Sequence, residues 1–188
     1  MRAVLDYRPA ILARGGIAVY VRELAAALGP TGTQHELVLF ASHRRRVATN
    51  EVPTGPNIHL FGAPVPSRLQ TILARFGWGP DRLGRGDLLH WTDYFPLPPA
   101  RVPVVATIHD VLFDELPDCY TPSMRRGLRA ATRGITRRAI RLFVPSTRTR
   151  DAVGDRYGVD PARIDVVPHG VRPLPEAAPE RGYGYYVL

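Results

Sequence analysis

Short apolar runs alternate with longer amphipathic stretches along nearly the whole chain, and this alternation leaves few folds open. Val4-Leu5 opens a first strand that ends near Asp6-Tyr7. Glu36 to Phe40 (ELVLF), Asn57 to Phe61 (NIHLF), Asp87 to His90, Val102 to Ile108 (VPVVATI), Arg141 to Val144 and Arg163 to Val167 (RIDVV) read as further strands. Between them, Ile17, Tyr20, Val21, Leu24 and Leu28 share one helical face, and Leu69, Ile72, Leu73 and Phe76 another. Longer helices are expected from Ser123 to Ile140 and from Thr147 to Tyr157, the second capped by Ser146. Strands that are apolar throughout are covered on both faces. The fold class is therefore α/β, a Rossmann-like open parallel sheet flanked by helices.

With 188 residues the chain suits one domain of this kind, and the pattern is complete by about residue 170. Pro168, Pro173, Pro175 and Pro179 then fall within a dozen residues, which predicts an extended linker over 171–184. Residues 185–188 (YYVL) read as the first strand of a further domain.

Composition excludes several chemistries. All 25 basic residues are arginine, so no Walker lysine, Schiff-base lysine or lysine general base operates here. The arginine bias, with abundant Ala, Gly and Pro, also fits GC-rich coding. Cys119 is the only cysteine, which rules out an intrachain disulfide and a Cys-based zinc site and suits a reducing compartment. The N-terminal run Met1-Arg2-Ala3-Val4-Leu5-Asp6 meets a charge too early for the apolar stretch of a signal peptide, and no apolar run approaches membrane-spanning length. The expected location is cytoplasmic, with attachment to the inner face of a membrane open. No Asp-x-Asp pair occurs, and His35, His43 and His59 lack metal-ligand spacing. No metal site is expected.

In open parallel sheets ligands bind beyond the carboxyl ends of the strands. Four segments lie there. Gly15-Gly16 follows the first strand and precedes a helix, so backbone N–H groups can approach an anion such as a diphosphate; a plain tight turn is the alternative. His90-Trp91-Thr92-Asp93-Tyr94-Phe95-Pro96 offers polar and aromatic groups for a sugar, although Trp91 and Phe95 also fit a role covering the core. His109-Asp110 follows the most apolar strand, where an imidazole can hydrogen-bond a substrate or move a proton. His169-Gly170 ends the last strand, with Gly170 expected at a positive φ if the segment is only a turn.

Gly15-Gly16-Ile17-x-x-Tyr20-x-x-Glu23-Leu24, His90-x-x-Asp93-Tyr94-x-Pro96, Thr107-Ile108-His109-Asp110, Pro145-Ser146, Tyr157-Gly158-Val159 and Val167-Pro168-His169-Gly170-Val171 occur in that order. Together they resemble the N-terminal domain of family-4 glycosyltransferases over almost the whole chain. The resemblance implies a GT-B fold of two Rossmann-like domains facing a cleft, retaining stereochemistry, no metal and no cofactor beyond a nucleotide-sugar donor. It implies that Gly15 and Gly16 sit beside the donor diphosphate and the acceptor, and that His109 contacts the transferred sugar near the reacting centre. Asp93, Tyr94 and Asp110 would line the acceptor side with His90, and Ser146, His169 and Gly170 would border the cleft. Thr107 to Asp110 with Pro117 to Tyr120 resembles mannosyltransferase-type members, which suggests GDP-mannose as donor and a glycan or lipid-linked acceptor. The family's second domain supplies most donor contacts, and its motifs are absent from these residues. The expectation is a half-site, inactive alone; a stand-alone sugar-binding or nucleotide-binding module, or a subunit completing another chain, is the other reading.

From Thr121 to Arg141 there are seven arginines and no acid, which accounts for most of the net charge of +8. Arg126, Arg129, Arg133 and Arg137 fall on one side of the expected helix, with Leu128, Ala131, Ile135 and Ala139 opposite. Such a ridge is either a solvated face or an anionic membrane surface's partner. No nucleic-acid motif accompanies it, so a nucleic-acid partner is not expected.

Overall fold

Strand pairing carries the architecture. The computed structural model describes residues 1–12, 15–31, 34–41, 52–62, 69, 72–73, 76 and 78–171. Beyond Val171, the expected linker and closing strand lie outside the described residues, as does most of the expected helix around residues 67–76. Strands β1 (Arg2–Asp6), β2 (Glu36–Phe40), β3 (Ile58–Phe61), β4 (Leu88–Trp91), β5 (Val104–Thr107), β6 (Arg141–Val144) and β7 (Ile164–Val166) form a seven-stranded sheet in the order β3-β2-β1-β4-β5-β6-β7. Every pair is parallel. Val4 on β1 stands opposite Val38 on one side and Leu89 on the other.

Because successive side chains alternate faces, β1 feeds two cores. Val4 joins Val38, Leu89, Ala106, Ile135, Leu142 and Val153 on one face, and Leu5 joins Val21, Ala25, Leu37 and Leu39 on the other. The second face is covered by α1 (Arg8–Leu12) and α2 (Gly16–Thr31). A short helix α3 (Pro80–Leu83) leads into β4, and α4 (Leu112–Glu115) follows β5. The first face is covered by α5 (Pro122–Arg138) and α6 (Thr147–Tyr157). Thr121 caps α5 and Ser146 caps α6, each accepting from the backbone N–H three residues on. Gly158 ends α6 in the left-handed conformation that glycine adopts without strain.

Two expectations are corrected. The five-residue α1 stands where a loop was expected. On α2 the buried stripe is Ala18, Val21, Ala25 and Gly29, whereas Leu28 is exposed. Small residues bring this helix close to the sheet: a Cβ on Gly29 would lie 2.6 Å from Cδ1 of Ile58.

Candidate functional site

The strand order reverses direction between β1 and β4, because the chain builds outward through β2 and β3 and then returns to the other side of β1. In sheets of this kind the crevice beyond such a switch point is where ligands bind. Its walls here are the end of β1, the start of α2, the Thr92–Tyr94 loop after β4 and the Ile108–Asp110 loop after β5.

At the centre is a cluster of rings. Tyr20, on α2, packs edge-on against His109 with centroids 4.9 Å apart and lies 4.7 Å from the ring of His169. The two imidazoles are 5.6 Å apart, and Tyr94 approaches His109 at 6.4 Å. β7 is the far edge strand of the sheet, so the chain after it turns back across the strand ends to bring His169 to Tyr20. Sequence separation hid this meeting of β5, α2 and the β7 exit.

His109 Nε2 lies 3.0 Å from the carbonyl oxygen of Thr92. A carbonyl only accepts, so Nε2 carries the proton and Nδ1 is left as the acceptor of the neutral ring. Thr92 is held in turn: its buried hydroxyl donates to the carbonyl of Asp6 at 2.7 Å. Burial lowers the pKa of His109, and the neighbouring His169 lowers it further, against the Thr92 bond and Asp110, which raise it. The ring is neutral at pH 7.

Beneath this cluster, Thr107 Oγ1 bonds both the Tyr20 hydroxyl (3.0 Å) and His90 Nε2 (2.9 Å). His90 thus supports the site from below. Its imidazole also packs edge-on against Phe143. Burial, with a smaller contribution from His109, pushes its pKa down to about 4. Between the ordinary value of 6.5 and about 4 the unfolded chain binds a proton that folded His90 refuses, so stability falls as the pH drops through that window. The expected loss, complete near pH 4, is up to about 3 kcal/mol at 1.36 kcal/mol per pKa unit. Denaturant midpoints from pH 7 to 4, compared between the wild type and His90→Gln, check it: the wild type should show the steeper decline, and parallel curves would refute it.

The remaining expected residues are placed as follows. The Tyr94 hydroxyl donates to the Asp110 carbonyl (2.6 Å) and accepts from the Asp110 N–H (2.8 Å), clamping the β4 and β5 loops together. The Asp110 carboxylate accepts from Leu112 N–H, and Asp93 accepts from Tyr94 N–H. Burial raises the pKa of Asp93, helped by Asp6 and opposed by the Tyr94 bond and Arg8. Trp91 is core, with its indole N–H donating to the Phe95 carbonyl, whereas Phe95 is exposed. Ser146 makes the hydrogen bonds of a helix cap, to the N–H and hydroxyl of Thr149. Gly15 accepts from Val19 N–H at the start of α2, and no acidic residue stands in the first turn of that helix. Neither Gly15 nor Gly16 has a positive φ, and a Cβ on either would meet nothing within 4 Å among the described residues. Nothing among the described residues therefore demands glycine at either position, and both are exposed at the start of α2. Gly170 likewise lacks the positive φ expected of a turn glycine.

Asp6 and Arg8 went unnoticed in the sequence. Asp6 is fully buried and takes a two-pronged pair from Arg8, Nε to Oδ1 at 2.7 Å and Nη2 to Oδ2 at 2.9 Å. The guanidinium lies over Trp91 (4.7 Å), Phe95 (5.6 Å) and Phe40 (5.8 Å). Opposite charges two apart at a strand end were the available signal; the three rings that complete the site come from distant segments. Among the described residues no cluster of His, Cys, Asp or Glu could hold a metal, and no helix is long and apolar enough to cross a membrane.

An open parallel sheet with imidazole and phenol rings gathered at its switch point is that of a Rossmann-like α/β domain. The model of glycosyltransferase family 4 matches residues 14–173, and the chain belongs to that family. A search of curated proteins found no match.

Proposed function

We propose that this chain is the acceptor-side, N-terminal domain (residues 1–170) of a GT-B glycosyltransferase that moves a sugar from a nucleotide-sugar to a glycan or lipid-linked acceptor. The convergence of Tyr20, Tyr94, His109 and His169 on one switch-point crevice, in a chain of family 4, carries the reading. In this reaction the bond from the anomeric carbon to the donor phosphate breaks, a bond to an acceptor oxygen forms, and the acceptor proton leaves with the nucleoside diphosphate.

Each group has a part. The first N–H groups of α2, with no side chain above Gly15 or Gly16, receive diphosphate oxygens as charge develops on the leaving group. His109, neutral and anchored through Nε2, accepts a hydroxyl of the transferred sugar at Nδ1. Asp93, Tyr94 and Asp110 border the acceptor, with His90 supporting them from below, and Ser146, His169 and Gly170 stand where a second Rossmann-like domain closes the cleft beyond a linker over 171–184. In a GT-B enzyme of this kind the second domain supplies most donor contacts. Transfer is retaining and metal-independent, the donor is GDP-mannose, and the work is done in the cytoplasm.

Gly16→Ala tests the diphosphate assignment. With open space and a permissive backbone, the substitution should leave stability unchanged or raise it by up to about 1 kcal/mol. The same methyl should cut kcat/KM for the nucleotide-sugar at least about tenfold, the equivalent of one lost hydrogen bond to a charged group. Unchanged kcat/KM at unchanged stability would remove the helix from the donor site.

A further inference from the structure

Helix α5 carries no acidic residue, and the structure sorts the arginines of its neighbourhood into two groups. Arg129 pairs with Asp114, Arg138 donates to the carbonyls of Leu97 (2.8 Å) and Pro98 (2.7 Å), and Arg141 pairs with Asp165 (3.4 Å). These three serve the fold, which corrects the expected ridge by removing Arg129 from it. Arg125, Arg126, Arg133 and Arg137 have no ion pair among the described residues, and the last three are exposed. At 100° per residue, positions 126, 133 and 137 fall within about 40° of one another along about 16 Å of helix. The result is a straight, exposed stripe of cations that no acid among the described residues neutralises.

Met124 lies on the opposite side of the helix from the stripe, in line with Ala131 and Ile135, whereas Ile140, just past the end of α5, is more than half exposed (54%). No aromatic side chain stands on the helix for a base to stack upon, as single-stranded nucleic acid would require. A line of unpaired cations matches the phosphates of lipid headgroups. We propose that the outer face of α5 docks on an anionic bilayer, with Arg126, Arg133 and Arg137 in the headgroup layer. α5 starts from the β5 loop that carries His109 and Asp110, so docking holds that side of the crevice near the lipid surface.

The test is co-sedimentation of the protein with vesicles of equal parts phosphatidylcholine and phosphatidylglycerol, against vesicles of phosphatidylcholine alone. Binding should require the anionic lipid, weaken as salt is raised, and fall about 100-fold in the triple variant R126Q/R133Q/R137Q, at roughly fivefold per arginine near such a surface. R82Q/R85Q/R101Q removes the same charge from exposed positions in and after α3 and before β5, outside α5, and should bind as the wild type does. Equal binding to neutral vesicles, equal loss in both triple variants, or capture by RNA without vesicle binding would each overturn the proposal. Thermal melts of both variants confirm that the fold is intact. Sedimentation reads no sugar transfer, so this proposal and the catalytic one fail separately.

Discussion

His109→Ala should lower kcat/KM for sugar transfer by about 100-fold or more, within the 10²–10⁴ range for a group that positions or moves a proton at the reacting centre. Truncation removes the Nδ1 acceptor, and with it the imidazole that fills the space between Tyr20, Tyr94 and His169. The structural loss is smaller: one hydrogen bond to Thr92 and part of a ring cluster, about 1–2 kcal/mol. The two readouts therefore separate. Because burial depresses the imidazole, the acid limb of kcat/KM in the wild type should lie below pH 6.5, the ordinary value for histidine. A limb at or above that pH would assign the titration to another group.

Arg8→Ala should destabilise the domain by about 3–5 kcal/mol, the cost of stranding a buried carboxylate. The Asp6 side chain is fully enclosed, and Arg8 itself is only 15% exposed. Desolvation alone would lower the Arg8 pKa, but the Asp6 charge and hydrogen bonds, with Asp93 further off, raise it. Removing both partners at once should be milder, since Asp6→Asn with Arg8→Met leaves no uncompensated charge. Urea midpoints of the three variants measure this. A double variant less stable than Arg8→Ala would mean that the pair contributes net stability and does not merely neutralise itself. The loss should also propagate, because the Asp6 carbonyl anchors Thr92, which anchors His109.

The strands were legible because burial on both faces writes itself as unbroken apolar runs, as in VVAT of β5. Helix caps were legible too: Ser146 stands where a short polar side chain can take the N–H of Thr149. The buried face of α2 was not. Periodicity weights large residues, and so placed Leu28 inward, but a helix pressed against β3 buries Ala25 and Gly29 instead. The site was half legible. His109 could be singled out by its place after an apolar strand, yet its tautomer depends on a carbonyl 17 residues earlier. The surroundings of Arg8 and His169 were harder, because the rings over Arg8 (Phe40, Trp91 and Phe95) and those against His169 (Tyr20 and His109) come from segments that meet only in the folded domain. Trp91 was ambiguous in the sequence, since a strand-end aromatic serves either a ligand or the core; its burial settles it as core.

The most direct measurement is sugar transfer by the protein that carries this domain, using a panel of labelled nucleotide-sugars with glycan and lipid-linked acceptors. The expected result is label moved from one donor, GDP-mannose foremost, to acceptor, with transfer lost in His109→Ala while its melting curve stays close to wild type. Transfer at the wild-type rate in that variant, or no transfer from any donor by folded protein, would contradict the assignment of this crevice to glycosyl transfer.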